Sequence, residues 1–173
     1  KGLFRYLGVN THSESDMRYI AMYPEIFDMV LIDYNLLQLD REPVIKELDN
    51  AGVGVVAGTV LAQGHLIPGK IGGIKSIADI WYLARALMKP SSRRLSKNSV
   101  KMREALLKSN NMTAVQAAFS YVLSNKAISS CVFGTTKIDN LLEVIAATEK
   151  TLDSECVSLI KDTFSQIPQK VSM

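Results

Sequence analysis

Two apolar runs of strand length lead into turns that contain glycine and threonine, and chemistry is expected at those turns. The sharper signal is residues 128–133 (ISSCVF), which are followed by the turn 134–136 (GTT) and then by helix-like sequence. In an α/β protein the loops after parallel strands carry the ligand, because free backbone N–H groups and helix N-termini gather there. Asn140 and Glu143 follow one and two helical turns later. This stretch therefore predicts a phosphate-binding corner of a ligand site.

The second turn follows residues 53–58 and opens a glycine-rich connection, residues 59–73. Within it, residues 64–70 have the spacing of a phosphate-binding P-loop up to its last position. A P-loop needs successive backbone N–H groups and a hydroxyl after the lysine to hold magnesium. Pro68 has no N–H and Ile71 has no hydroxyl, so we expect no P-loop here.

Strand-like and helix-like segments alternate along the chain, and these elements would position the two turns. Strands are predicted at residues 4–9, 28–34, 53–58 and 128–133. Strands that alternate with helices form parallel βαβ units with right-handed crossovers. The predicted fold class is therefore α/β with a parallel sheet. Four strands are few for a free-standing closed barrel, which eight would close.

Helix starts are marked by capping residues. Ser13 and Thr113 each begin a pattern that resembles a capping box. The helices predicted between the third and fourth strands cover residues 76–89, about 100–108, and a segment from 113; two more run through residue 143 and near 153–164. Pro90 is expected to end the first of these. Residues 91–99 (SSRRLSKNS) are expected to form a polar, basic interruption.

The composition is that of a soluble globular protein with a single domain, residues 1–173. A net charge of +3 is too small to argue for a nucleic-acid partner, and the apolar runs are too short for a membrane span. Cys131 and Cys156 form no CxxC or Cys/His cluster, which argues against a metal site and a disulfide framework. A reducing, cytoplasmic location is expected. Because the chain opens at Lys1 almost directly on a strand, we expect a fragment or a processed product.

Five segments resemble the C-terminal half of an aldo-keto reductase, in the order and spacing of that family. They are FRYLGVNTHS, FDMVLIDYNLL, GVGVVAGTVLAQGHL, TAVQAAFSYVLS and VFGTTKIDNLLEVIAA. The resemblance implies a TIM (β/α)8 barrel, of which this chain covers about the last four βα units plus terminal helices. It also implies NADP(H) as the cofactor and hydride transfer to an aldehyde or ketone.

The resemblance assigns cofactor contacts to this half of the barrel. The nicotinamide end would be held by Asn10, Thr11, Thr59, Leu61 and Gly64, and the adenosine end by Gly134, Thr136, Asn140 and Glu143. A basic run, residues 89–101, contains no acid. Its Arg93 and Arg94 would clamp an adenosine 2′-phosphate, with Lys70 as another candidate, because arginine geometry suits phosphate. The alternative for this run is a solvated surface loop.

Several positions depart from the family pattern. Val60 stands in place of the proline of the turn 59–64, and Val144 stands in place of an asparagine at the adenosine end. Two further departures lie at the nicotinamide end. Leu31 stands where a glutamine bonds the carboxamide, and Gly58 stands where an aromatic ring stacks under the nicotinamide. Losing the stack and the hydrogen bond would each remove about 0.5–1.5 kcal/mol of cofactor binding. The family's catalytic Asp, Tyr, Lys and His belong to its first four strands, so no catalytic residue is assigned here. His12 and His65 are not substitutes by position.

Three hypotheses follow from these residues. The first is an NADP(H)-dependent oxidoreductase that reduces a small-molecule carbonyl substrate. Its N-terminal half-barrel would come from the same parent chain, a partner or self-association, because an isolated half-barrel exposes strand edges and an apolar inner face. The second is a non-catalytic binding or regulatory module on a degenerate scaffold, and the third is unrelated chemistry on the same barrel.

Overall fold

A parallel sheet of four strands forms the centre of the protein. The computed structural model describes residues 2–67, 90–109 and 111–168. The strands are β1 (Gly8–Thr11), β2 (Met29–Asp33), β3 (Gly54–Gly58) and β4 (Ser130–Cys131). They lie in the order β1-β2-β3-β4, and every neighbouring pair is parallel. The α/β fold class and the parallel βαβ units predicted from the alternation of elements are confirmed.

Six α-helices accompany the sheet within the described ranges. They are α1 (Glu14–Met22), α2 (Glu42–Asn50), α3 (Pro90–Leu106), α4 (Ala114–Ser124), α5 (Ile138–Ala147) and α6 (Ser154–Ser165), with short 3-10 turns at Leu39–Arg41 and Ala62–Gly64. The predicted caps are confirmed, because the Ser13 side chain accepts from the Asp16 N–H and Thr113 forms a capping box with Gln116. In the part of the chain that the structure describes, no helix is long and apolar enough to cross a bilayer.

Two predicted strands have different bounds in the structure. Residues 4–7 lie outside β1, which begins at Gly8 and pairs from there with β2. The carbonyl of Leu7 accepts hydrogen bonds from the N–H groups of Asp28 and Met29, at 2.9 and 3.3 Å, where β2 begins. Only Ser130 and Cys131 of the predicted strand 128–133 are paired, opposite two residues of β3. On either side of β4, the N–H groups of Ser129 and Val132 still donate to carbonyls of β3, at 2.8 and 2.9 Å.

The prediction of a polar interruption at residues 91–99 was wrong. These residues lie inside α3 (Pro90–Leu106). Arginine and lysine are good helix formers, so a polar, basic composition does not by itself interrupt a helix. The predicted helix 76–89 lies outside the described residues.

The two faces of the sheet have different surroundings. One face carries the row Thr11, Ile32 and Ala57, all of which are buried. The opposite face carries the row Asn10, Leu31, Val56 and Ser130, given by the strand register. Asn10 and Ser130 are exposed, and Leu31 and Val56 are half-buried. The structure thus has one packed face and one open face.

Candidate functional site

The turns singled out from the sequence meet at one edge of the sheet. Asn10 and Thr11 end β1, Asp33 ends β2, Thr59 follows β3, and Gly134 comes three residues after β4. Since all four strands are parallel, their carboxyl ends lie along the same edge. Ligand sites of α/β proteins are built from the loops at this edge.

Asn10 and Thr11 are used differently. The Thr11 side chain is buried; its hydroxyl donates to Asp16 at 2.8 Å and accepts from the Ser13 N–H at 3.1 Å. That hydroxyl therefore fixes the start of α1. Asn10 lies on the open face of the sheet and is exposed, so its amide is accessible to a ligand.

Asp33 joins the ends of three strands through its carboxylate. One oxygen bonds Nδ1 of His12 at 2.6 Å, and the other accepts from the Thr59 hydroxyl at 3.1 Å. Arg41 donates to the carbonyl of Asp33 at 2.6 Å and to that of His12 at 2.9 Å. Of these residues only Thr59 was assigned to the site from the sequence. The missed signal is that His12 and Asp33 are polar residues at the ends of adjacent predicted strands.

The turn after β3 has an unusual backbone. Thr59, Ala62 and Gln63 have positive φ angles of 52°, 48° and 57°. Residues other than glycine seldom adopt this conformation, and each instance costs of the order of 1–3 kcal/mol. The turn is closed by hydrogen bonds from the Ala62 N–H to Thr59 at 2.7 Å and from the Gly64 N–H to Leu61 at 2.9 Å. The predicted residues Thr59, Leu61 and Gly64 thus belong to one rigid turn.

Arg103 ties this turn to α3, a contact that no sequence pattern indicated. Its guanidinium donates to the carbonyl of His65 at 2.7 Å and to the Ser99 hydroxyl at 3.3 Å. Burial, together with the charge of Arg103, lowers the pKa of His65. His65 is therefore expected to be neutral at physiological pH and to act in packing rather than as a charge.

The loop after β4 leaves the N-terminus of α5 open. Residues 132–140 are exposed. Asn140 donates to the Thr135 hydroxyl at 3.1 Å, and the same hydroxyl accepts from the Lys137 N–H at 3.2 Å. Lys137 is the N-cap of α5 and provides no side-chain cap. The first N–H groups of α5 therefore remain open to an anion, which helix N-termini favour.

Glu143 is half-buried and accepts a hydrogen bond from the Thr113 hydroxyl at 2.7 Å. Because Thr113 is also the N-cap of α4, Glu143 fastens the start of that helix to the second turn of α5. One carboxylate oxygen thus has a structural partner within the chain. The same contact holds α5 in place beside the loop that follows β4.

Cys131 lies at the end of β4 and provides a test of the packing at this edge. Burial raises the pKa of its thiol from the ordinary 9.0 to about 11. Since only the thiolate is reactive, we expect iodoacetamide to alkylate Cys131 at pH 8 roughly 100-fold more slowly than a free thiol. The rate should rise about tenfold per pH unit until about pH 11. Peptide mapping by mass spectrometry would separate Cys131 from Cys156; rapid alkylation of Cys131 at pH 7 would contradict its burial.

The family model for the aldo/keto reductase family matches residues 1–163, which is nearly the whole chain. The chain belongs to the aldo/keto reductase family. It is 25% identical over 151 residues to the L-glyceraldehyde 3-phosphate reductase of Escherichia coli (strain K12), covering 82% of this chain and 44% of that protein. It is 32% identical over 133 residues to the uncharacterized oxidoreductase YrpG of Bacillus subtilis (strain 168), covering 76% of this chain and 38% of that protein.

A solved structure shares the fold. The holo form of aldo-keto reductase AKR11C1 from Bacillus halodurans superposes with a TM-score of 0.66 at 19% identity, over 94% of this chain and 51% of that chain. The chain therefore spans about half the length of this structure and less than half the length of the curated relatives named above.

By the family resemblance, an aromatic ring that stacks under the nicotinamide would stand at position 58, where this chain has Gly58. A Cβ on Gly58 would lie 3.4 Å from Leu31 Cδ1, 3.4 Å from the carbonyl oxygen of Ile32 and 3.9 Å from Val132 Cγ1. The side chain of Leu31 therefore fills part of the space beside Gly58. The two departures at the nicotinamide end are in contact and form one apolar surface.

Three predicted contacts to the 2′-phosphate remain predictions. Lys70 lies outside the described residues. Arg93 and Arg94 lie in α3 rather than in a loop, so the alternative of a solvated loop for this run was wrong.

Proposed function

We propose that this chain is the cofactor-binding half of an NADP(H)-dependent reductase of aldehydes or ketones. The observation that carries the proposal is the position of the assigned cofactor residues on the sheet. Residues chosen by family resemblance on β1, after β3 and after β4 all lie at the carboxyl edge of one parallel sheet. That is the edge at which barrel enzymes bind their ligands.

Residues 1–173 are proposed to form one domain. Its four strands would be the last four units of a (β/α)8 barrel. Their sequential parallel order supports this, as does the superposition on about half of a solved aldo-keto reductase. The other four units would come from the same parent chain, a partner or a second copy. They would cover the open sheet face and pair with the edges of β1 and β4.

The residues present fit an adenosine phosphate better than a nicotinamide. The exposed turn at Gly134 and Thr136 precedes the uncapped N-terminus of α5, which suits phosphate oxygens, and Asn140 and Glu143 lie on the same helix for adenine. At the other end, Asn10 offers an amide while Leu31 and Gly58 offer an apolar contact. NADPH supplies a hydride when it is bound; this chain's residues bind and orient it.

Carbonyl reduction is favoured over the non-catalytic module because relatives with assigned names are reductases or oxidoreductases. The E. coli relative is named for an aldehyde, L-glyceraldehyde 3-phosphate. A small carbonyl compound is therefore the substrate class that we propose for this chain.

Titration of the purified chain with NADPH, followed by nicotinamide fluorescence, tests the cofactor assignment. We expect saturable binding that Asn140→Ala weakens by about 2- to 12-fold, the equivalent of one hydrogen bond. Asn50→Ala is the matched control, because Asn50 is exposed and ends α2 outside the proposed site. Absence of binding at high micromolar NADPH would refute the assignment for this chain, and equal weakening by both variants would refute the role of Asn140.

Leu31→Gln tests the nicotinamide end by gain of function. Leu31 is half-buried and lies next to Asn10 in the register of β1 and β2, so a glutamine there would place a second amide beside the first. We expect NADPH to bind about 2- to 12-fold more tightly to the variant, because one hydrogen bond is gained. Leu31→Met, which keeps an apolar side chain, should leave the affinity unchanged. A Gln variant that binds NADPH no better than the Met variant would show that the carboxamide does not reach this position.

A further inference from the structure

The cluster at the ends of β1, β2 and β3 contains a histidine, a carboxylate and a threonine that are already bonded to one another. His12 contacts Asp33 at 2.6 Å through Nδ1, and the Thr59 hydroxyl contacts the other oxygen of Asp33 at 3.1 Å. An ionised carboxylate only accepts hydrogen bonds. Nδ1 of His12 must therefore carry a proton, and the Thr59 hydroxyl must point its hydrogen at Asp33.

These two bonds determine what the cluster can offer to a ligand. In the neutral imidazole, a proton on Nδ1 leaves a lone pair on Nε2. With its hydrogen committed to Asp33, the Thr59 oxygen also presents lone pairs. The side chain of His12 is 69% exposed. With His12 as this neutral tautomer, both groups accept hydrogen bonds, so the matching ligand group must donate them.

The backbone that carries the cluster is held in place. Arg41 bonds the carbonyls of both His12 and Asp33, which ties the loop after β1 to the end of β2. Thr59 sits at a positive φ of 52° in the closed turn after β3. The acceptors are thus fixed before a ligand arrives, which reduces the entropy lost on binding.

We propose that His12, Asp33 and Thr59 form a recognition site for aliphatic hydroxyl groups, with His12 Nε2 and Thr59 Oγ1 as the acceptors. The hydroxyl can come from a hydroxyaldehyde substrate or from the ribose next to the nicotinamide, and assigning these sources rests on the proposed function. Asp33 is the positioning residue, because it sets the direction of both acceptors without contacting the ligand. Phosphate and carboxylate oxygens are a poor match, since they need donors.

Nitrogen chemical shifts of the histidine side chains, read by long-range ¹H–¹⁵N correlation NMR on the full chain, test the site. The sequence has two histidines, so His65 is an internal reference. In the free protein we expect His12 to carry its proton on Nδ1. Glyceraldehyde should shift Nε2 of His12, whereas butanone, a ketone that has no hydroxyl and is hardly hydrated in water, and inorganic phosphate should not. A separate titration with reduced nicotinamide mononucleotide tests whether the ribose hydroxyls bind to this site.

Asp33→Asn is the decisive variant. The new amide has one oxygen and one NH2 group. Its NH2 group faces either His12 Nδ1 or the Thr59 hydroxyl, so either His12 Nε2 or the Thr59 hydroxyl becomes a donor toward the ligand. We expect the glyceraldehyde response to weaken at least fivefold, with Thr59→Val giving a smaller loss. Asp49→Asn is the control, because Asp49 is exposed near the end of α2. Circular dichroism and the His65 signals would show whether a variant has unfolded. If Asp33→Asn unfolds, the glyceraldehyde response of Thr59→Val tests the site instead.

The outcomes separate this proposal from the proposed function. A shift of His12 by glyceraldehyde in a protein that fails to bind NADPH would support the hydroxyl site and refute the cofactor assignment. No shift with glyceraldehyde or the mononucleotide would overturn the hydroxyl site even if NADPH binds. A response to phosphate as large as that to glyceraldehyde would overturn it in favour of an anion site, and a response unchanged in Asp33→Asn would remove Asp33 from it.

Discussion

Replacing Phe119 with alanine is expected to lower the free energy of unfolding by about 3–5 kcal/mol and to weaken adenosine-phosphate binding. Phe119 lies in α4 and is 1% exposed. Its ring meets that of Phe133 edge-to-face, with centroids 5.5 Å apart. Because Phe133 directly precedes the turn at Gly134, the same ring that fills the core also positions the proposed phosphate corner.

The two effects of Phe119→Ala need separate measurements. Urea denaturation gives the change in unfolding free energy, and calorimetric titration with 2′,5′-ADP under native conditions gives the change in affinity. Ile160→Ala is the matched control, because Ile160 is fully buried in α6. We expect the control to lose stability while keeping its affinity for 2′,5′-ADP. If Phe119→Ala also kept that affinity, the proposed link from core to site would be wrong.

Removing the carboxylate of Glu42 is expected to cost about 2–4 kcal/mol of unfolding free energy. The hydroxyls of Tyr34 and Tyr121 both donate to its Oε1, at 3.0 and 3.3 Å. Burial, followed by the charge of Glu42, raises the pKa of both tyrosines, so both hydroxyls stay protonated as donors. Each buried donor left without a partner costs about 1–3 kcal/mol. Glu42 lines a pocket of ≈ 420 Å³ that admits water, and water can partly replace the lost acceptor. The expected loss of unfolding free energy therefore lies toward the lower end of the sum for two donors.

Urea denaturation of Glu42→Ala and Glu42→Gln measures this cost. The glutamine variant retains an acceptor oxygen, so it should lose less than half as much stability as the alanine variant. Tyr34→Phe combined with Glu42→Ala should cost less than the sum of the single variants, because they share one interaction. An unchanged stability of Glu42→Ala, or simple additivity in the double variant, would show that the carboxylate shared by Tyr34 and Tyr121 does not stabilise the fold.

Local sequence patterns were enough to predict the sheet, because alternation of strands and helices restricts the topology to parallel βαβ units. The first and last residues of each element were harder to predict, since they depend on contacts with neighbouring elements. Residues 4–7 look like a strand, yet β1 begins only at Gly8, and Leu7 makes its hydrogen bonds to Asp28 and Met29 at the start of β2. Residues 91–99 look like a polar break, whereas in the structure they lie inside α3, because arginine and lysine are good helix formers.

The candidate site was predictable only where its residues are close in sequence. The turn at Gly134 and the start of α5 form a local unit, so their pattern indicated a phosphate corner directly. His12, Asp33 and Thr59 are far apart in the chain, and the register of β1, β2 and β3 brings them together. Thr11 was predicted to contact the cofactor. In the structure its hydroxyl bonds Asp16 and the Ser13 N–H, and the sequence pattern did not indicate these partners.

We propose that this chain holds the cofactor mainly by its adenosine end. Calorimetric titration of the chain with the two halves of NADPH, 2′,5′-ADP and reduced nicotinamide mononucleotide, tests it most directly. The open N-terminus of α5 and the apolar contact of Leu31 with Gly58 predict that 2′,5′-ADP binds with most of the affinity of NADPH, while the mononucleotide binds at least tenfold more weakly. Binding of the mononucleotide alone, or of neither half, would contradict the account.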